Sequence, residues 1–192
     1  YDINMFISMP NIVMAAPKDG NELQSLFNTA IKSKKGFVIR YPKGDCINFT
    51  DSNSLANIGE WEIVRKGENT AILAVGSMVD MVLSDYEYLC KSIGYKPTVV
   101  NSRYIKPIDF KMMQEIISFY GQIITIEEGM RIGGFGSYIV NYLNDNNYNG
   151  KIKNIAIDDE FIGQGTRGEL LYDCGLSIDN LINQIKNGHE EK

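Results

Sequence analysis

From Ala71 onward, apolar runs of strand length alternate with segments whose apolar residues recur at helical spacing, and few folds accept that rhythm. "AILAVG" (71–76) leads through Ser77 to a helix with Val79, Val82, Leu83, Tyr86 and Leu89 inward, stopped near Gly94. "PTVVN" (97–101) precedes a helix that opens after Pro107, Ile108 and Asp109 and carries Met112, Met113, Ile116 and Ile117. "QIITIEE" (122–128) is a third strand, and Ile139, Val140 and Leu143 mark the helix after it. "NIAIDD" (154–159) is a fourth strand; Thr166 and Glu169 are spaced as a capping box, and Ile178, Leu181, Ile182 and Ile185 form the last apolar stripe. Strands separated by helices in this way predict an open parallel α/β sheet. Trp61–Val64 and Thr70–Val75 flank Lys66-Gly67-Glu68-Asn69 and read as a hairpin, whose outer strand would be one antiparallel edge of a mixed sheet.

The first forty residues repeat the logic in miniature. Asn11–Ala16 is a strand closed by Pro17, and Asp19 and Glu22 open a helix carrying Leu23, Leu26, Phe27, Ala30 and Ile31. After Gly36, Phe37–Ile39 begin a second strand, so the segment is a βαβ unit with parallel strands. Residues 45–58 then lose periodicity and collect Asp, Asn and Ser, which places a boundary there. The expected division is 1–50, a linker at 51–58, and a larger unit over 59–192. Asn144–Asn149, rich in Asn, is expected to be an exposed loop.

Composition excludes several classes. A hydrophobic fraction of 44% supports a real core, while a net charge of -5 and a pI near 5.0 speak against a general nucleic-acid surface. No apolar stretch approaches the roughly 20 residues that span a bilayer. Cys46, Cys90 and Cys174 form no C-x-x-C pair, which argues against a zinc site or a disulfide framework. The chain opens on Tyr1 without Met, as expected of a piece of a longer polypeptide.

The chemistry-bearing residues are sparse. His189 is the only histidine and sits in the polar tail "NGHEEK", so a Ser-His-Asp or Cys-His device inside the fold is disfavoured. Gly129–Ser137 has neither the Lys of a phosphate loop nor a G-x-G-x-x-G; tight packing at a strand-to-helix turn, or an anion held by free amides, remain as readings. Glu127 and Glu128 end a strand on opposite faces, Asp158-Asp159-Glu160 reads as a solvated turn, and Asp109 as a helix cap. In "VIRYPKG" (38–44), Arg40 and Lys43 stand where a strand opens onto solvent, the usual ligand edge of such a sheet. Arg40 could hold a phosphate or carboxylate bidentately and Lys43 could offer a mobile point charge; a charged turn around Pro42-Gly44 is the plainer alternative.

Taken in order, "YDINMFISMPNIVMAAPKDGNE", "VIRYPKG", "AILAVGSMV", "VVNSRYIKPID", "TIEEGMRIGGFGS" and "DDEFIGQGTRGELLYDCGLSIDNL" resemble the 1-deoxy-D-xylulose-5-phosphate synthases, thiamine diphosphate enzymes of the transketolase superfamily. The RYPKG and RYIKPID segments separate that family from ordinary transketolases and from the β subunits of 2-oxo-acid dehydrogenases, which stand as alternatives beside a stand-alone interaction domain. The resemblance implies that residues 1–50 end a pyrimidine-binding domain and that 59–192 form a transketolase C-terminal domain with a mixed, mostly parallel five-stranded sheet. It implies a homodimer that needs the N-terminal part of the same enzyme, which carries thiamine diphosphate, Mg2+ and the active-site histidines. It also implies condensation of pyruvate with D-glyceraldehyde 3-phosphate, with loss of carbon dioxide, in the cytoplasm of a bacterium or in a plastid. The chain itself would hold no catalytic, metal or cofactor ligand. Its part would be the acceptor's phosphate at Lys43 and Arg40, where Lys stands in place of the family's usual Arg and keeps the charge without the bidentate fork.

Overall fold

The computed structural model describes residues 1–43, 50 and 53–190, with side chains to Asn187. Cys46, the end of the RYPKG turn at Gly44, most of the stretch 45–52 within the expected boundary, and the side chain of His189 lie outside the described residues. In chain order the first elements are α1 (Asp2–Ile7), β1 (Ile12–Ala15), α2 (Gly20–Ser33), β2 (Gly36–Ile39), β3 (Glu62–Arg65) and β4 (Thr70–Ala74). There follow α3 (Met78–Ser84), α4 (Tyr86–Ile93), β5 (Thr98–Asn101), β6 (Tyr104–Lys106), α5 (Phe110–Phe119) and β7 (Gln122–Met130). The chain ends with α6 (Phe135–Asp145), β8 (Lys151–Ile157), α7 (Arg167–Asp173) and α8 (Ile178–Glu190).

Two sheets result. The larger has five strands in the order β3-β5-β4-β7-β8, with every pair parallel except β3 against β5. This is the expected mixed, mostly parallel sheet. The smaller runs β2-β1-β6, with β1 parallel to β2 and antiparallel to β6. The expected βαβ unit is therefore present, but its sheet borrows a strand from beyond residue 100.

Burial explains the strand order. All five residues of β4 are buried, so both of its edges must be paired inside the sheet, and β5 and β7 take them. The expected β3–β4 hairpin is corrected on this ground: β3 alternates half-buried and exposed residues and pairs at the rim with β5. The connecting loop crosses beneath β5, where Gly67 N–H donates to Thr98 Oγ1 (2.8 Å) and Glu68 N–H to the Lys96 carbonyl (2.8 Å). A second correction is that residues 78–93 form two helices, parted at Asp85 (φ -110°, ψ 20°). α1 and β6 were not expected at all; at six and three residues, both are too short to show a period.

Period-two alternation in β4 separates two cores. Ala71 and Leu73 face one cluster with Met14, Leu26, Trp61, Tyr104, Met113 and Phe135, drawn from both sheets, α2, α5 and α6. Ile72 and Ala74 face the other, with Val79, Val82, Leu89, Leu181 and Ile185 from α3, α4 and α8. The first cluster is continuous across both sheets, so the two units share one core. No helix among the described residues is long and apolar enough to cross a membrane.

Candidate functional site

From β4 the chain passes to β5 on one side of the large sheet and later to β7 on the other. The crevice outside the carboxyl ends of β4 and β7 is therefore the topological switch point, where open α/β sheets take ligands. The carboxyl ends of β1 and β2 meet it from the small sheet. Here lies a cleft of about 50 Å³ between Pro17, Arg40, Tyr41, Gly76, Ser77 and Glu128. Ordinary ligand pockets hold roughly 300–1,000 Å³, so these residues make at most one wall of a larger site.

Arg40 sits in this wall and is held from both sides. Its Nε donates to Asp2 Oδ2 (2.7 Å), at the start of α1, and one terminal nitrogen donates to the Glu128 carbonyl (2.9 Å) in β7. Burial works to raise the Asp2 carboxyl, but Arg40 and the Ile3 amide outweigh it and the pKa falls. A guanidinium carries five donors, so Arg40 keeps others for a ligand after these contacts. Lys43, three residues on, is exposed and pairs with no described residue. This stretch thus presents one anchored cation, Arg40, and one exposed cation, Lys43.

Glu128 is the hub of the crevice. Its Oε2 accepts from Arg167 (2.6 Å) and from Ser77 Oγ (3.2 Å), and Arg167 also donates to Ser77 Oγ (2.8 Å). Glu127, on the opposite face, is fully buried. Its carboxylate accepts from the amides of Phe135 (2.9 Å) and Gly136 (2.7 Å) and so fills the amino end of α6. The glycine turn packs tightly around that carboxylate: a Cβ on Gly134 would meet the Met130 carbonyl at 2.2 Å and Glu127 oxygens at 2.8 and 2.9 Å. The tight-packing reading of Gly129–Ser137 holds, and the anion at its amides is the protein's own. Burial pushes the Glu127 carboxyl up to about 7, opposed by the two amides and by Arg40 and Arg131.

The remaining candidates resolve as structure. Asp109 Oδ1 accepts from Met112 N–H, capping α5, and its Oδ2 accepts from Trp61 N–H, both at 2.9 Å. Asp158 pairs with Arg131 (2.6 Å), and the Thr166–Glu169 capping box is formed. Sequence reasoning missed a buried seam. Asp19 caps α2 as expected, accepting from Glu22 N–H, but the Glu22 side chain turns inward to Asn101 Nδ2 (2.7 Å) and Arg103 (3.2 Å). Arg103 and Lys18 also reach Glu62 at 3.1 and 3.0 Å, tying α2 to β3 and β5. Only the Asp19–Glu22 spacing hinted at Glu22; apart from Lys18, its partners lie some 80 residues away, where no local pattern reports them.

No group of three or more His, Cys, Asp or Glu side chains that could hold a metal ion occurs among the described residues.

This five-stranded mixed sheet with its helices is the transketolase C-terminal architecture, and residues 59–181 match the family model "Transketolase, C-terminal domain". The chain belongs to that family. It is similar to 1-deoxy-D-xylulose-5-phosphate synthases: 38% identical over 190 residues to that of Bacillus velezensis and 40% over 188 residues to that of Dictyoglomus thermophilum. The matches cover 97% and 96% of this chain, and the chain spans about 30% of the length of both relatives, in their C-terminal portion. In fold it is like a split-gene transketolase solved as an inactive β4 tetramer (TM-score 0.88, 23% identity, 97% of this chain and 61% of that one). It is also like the transketolase of Campylobacter jejuni (TM-score 0.69, 19% identity, 95% and 27% covered).

Proposed function

We propose that the chain is the C-terminal part of a thiamine diphosphate- and Mg2+-dependent synthase that condenses pyruvate with D-glyceraldehyde 3-phosphate to 1-deoxy-D-xylulose 5-phosphate and carbon dioxide. The observation that carries this reading is similarity of 38–40% across 96–97% of the chain to enzymes of that name. Residues 1–50 complete a pyrimidine-binding domain, 51–58 link, and 59–192 form the C-terminal domain of a cytoplasmic homodimer. The cofactors and the reacting groups belong to the preceding part, so the chain alone is inactive. That the fold neighbour encoded by a split gene is described as inactive is in line with this.

Within that enzyme, Lys43 holds the acceptor's phosphate. Its exposure on the ligand edge, with no ion pair to another described residue, supports the role. Arg40, anchored by Asp2 and Glu128, stiffens the turn and turns its remaining donors to the same anion. The test is a chimera in which this chain replaces the matched portion of the Bacillus velezensis relative, assayed for carbon dioxide release from pyruvate in the presence of D-glyceraldehyde 3-phosphate. Lys43→Ala is expected to raise KM for D-glyceraldehyde 3-phosphate by roughly 10- to 100-fold, the loss of a charge-assisted hydrogen bond of about 1.5–3 kcal/mol, and to leave KM for pyruvate nearly unchanged. Equal effects on both substrates would remove the role from Lys43; an inactive chimera would remove the function.

A further inference from the structure

Glu128 puts a negative charge on the wall where a phosphate would bind. The residue lines the 50 Å³ cleft together with Arg40 and Tyr41, and its own backbone carbonyl accepts from Arg40 at 2.9 Å. The Arg40 guanidinium is thus fixed beside a residue whose side chain is a half-buried carboxylate. A carboxylate so placed competes for the donors that Arg40 keeps for a ligand. Where it stays in the cleft instead, it repels an entering phosphate.

The structure commits this carboxylate elsewhere. Its Oε2 accepts from Arg167 at 2.6 Å and from Ser77 Oγ at 3.2 Å, whereas Arg40 takes Asp2 as its carboxylate partner. Ser77 stands at the N-cap of α3, where a serine ordinarily accepts from an amide of the first turn, yet its side chain makes no such bond. Its hydroxyl donates to Glu128 and accepts from Arg167 (2.8 Å) instead. Arg167 opens α7, a helix with no buried residue, whose start is set by the Thr166–Glu169 capping box. Two elements from either side of β7 therefore converge on one carboxylate, and one of them forgoes its own cap to do so.

We infer that Arg167 is a positioning residue for the acceptor: it holds and neutralises the Glu128 carboxylate, so that Arg40 stays open to the acceptor's phosphate. This rests on the proposed function, in which Arg40 and Lys43 hold that phosphate. Arg167 acts through Glu128 and touches no substrate. A plain tether between α7 and the large sheet would matter alike to every acceptor. A mask over a negative charge matters only to an acceptor that is itself negatively charged.

The Bacillus velezensis chimera tests this with two acceptors, D-glyceraldehyde 3-phosphate and unphosphorylated D-glyceraldehyde, the readout being the ratio of their kcat/KM values. Arg167→Gln should lower that ratio by ~10-fold, because an uncompensated carboxylate then faces the phosphate. Glu128→Gln keeps the backbone carbonyl that anchors Arg40, removes the competing charge and should raise the ratio. The two substitutions together should bring it back to within ~2-fold of the unsubstituted chimera, the non-additivity expected of a coupled pair. A double variant as poor as Arg167→Gln would mean that Arg167 itself binds the phosphate, and equal losses with both acceptors that it only tethers α7. Either result overturns the inference and leaves the function standing. If Arg167→Gln does not fold, a Glu128→Gln ratio at or below that of the unsubstituted chimera overturns it. An inactive unsubstituted chimera removes the function, and the inference with it.

Discussion

Glu127 stands between two opposed demands. Burial disfavours its charge, and the amides of Phe135 and Gly136 favour it; burial wins, and the carboxyl rises to about 7. A carboxyl raised in the folded state binds its proton more tightly there than in the unfolded chain, where it stands at about 4.5. Its contribution to stability is therefore fully present below about pH 4.5 and is lost as pH rises through 7, with a slope near ~1.4 kcal/mol per pH unit between. Glu127→Gln removes this group from the titration. Urea unfolding of both proteins at intervals from pH 5 to 8 should show wild-type stability falling relative to the variant as pH increases. A constant difference would mean that Glu127 keeps an ordinary carboxylate pKa. Much at this scale could be read beforehand: the Asp109 cap and the Thr166–Glu169 box are local and announce themselves by spacing. The partners of Arg40 could not, because Asp2 and Glu128 lie 38 and 88 residues from it.

At the scale of elements, legibility follows length and burial. β4, β5, β7 and β8 are apolar enough to announce themselves, and the amphipathic stripes of α5, α6 and α8 give their inward faces; on α2 only Leu26 of the stripe is buried, and Phe27 and Ile31 lie exposed. The pairing partner of β3 was hidden, because a short loop suggests a hairpin to any local rule while the burial of β4 is a property of the whole sheet. Asp109 shows how one residue serves two elements. Its carboxylate caps α5 and also holds the backbone of Trp61, whose indole N–H reaches the Tyr104 carbonyl at 2.8 Å. Asp109→Ala should therefore cost more than a lone helix cap, about 2 kcal/mol rather than ~1. Asp109→Asn, which retains one acceptor oxygen for the cap, should recover part of that loss in chemical denaturation. Full recovery would show that the Trp61 contact contributes nothing.

For the whole molecule, the shared core is the decisive feature. Met14 and Leu26 of the small unit lie in one cluster with Leu73, Met113 and Phe135 of the large one, and β6 leaves the large unit to pair with β1. Residues on both sides of the expected linker at 51–58 thus pack into one cluster and should unfold together. The buried seam reinforces this. Glu22 is 5% exposed, and its carboxylate is matched by Asn101, by Arg103 and, at 3.5 Å, by Lys18. The Arg103 Nε lies 3.2 Å from Glu22 but is not aligned as a hydrogen bond, so the contact acts as an ion pair. Arg103→Ala leaves that buried carboxylate with Lys18 as its only cation and should destabilise by about 2 kcal/mol, less than the roughly 3–5 of a fully orphaned charge. Calorimetry should show one transition in both proteins, shifted down in the variant by several degrees. A transition that splits in two would mean that the seam, rather than the common core, joins the small sheet to the large one.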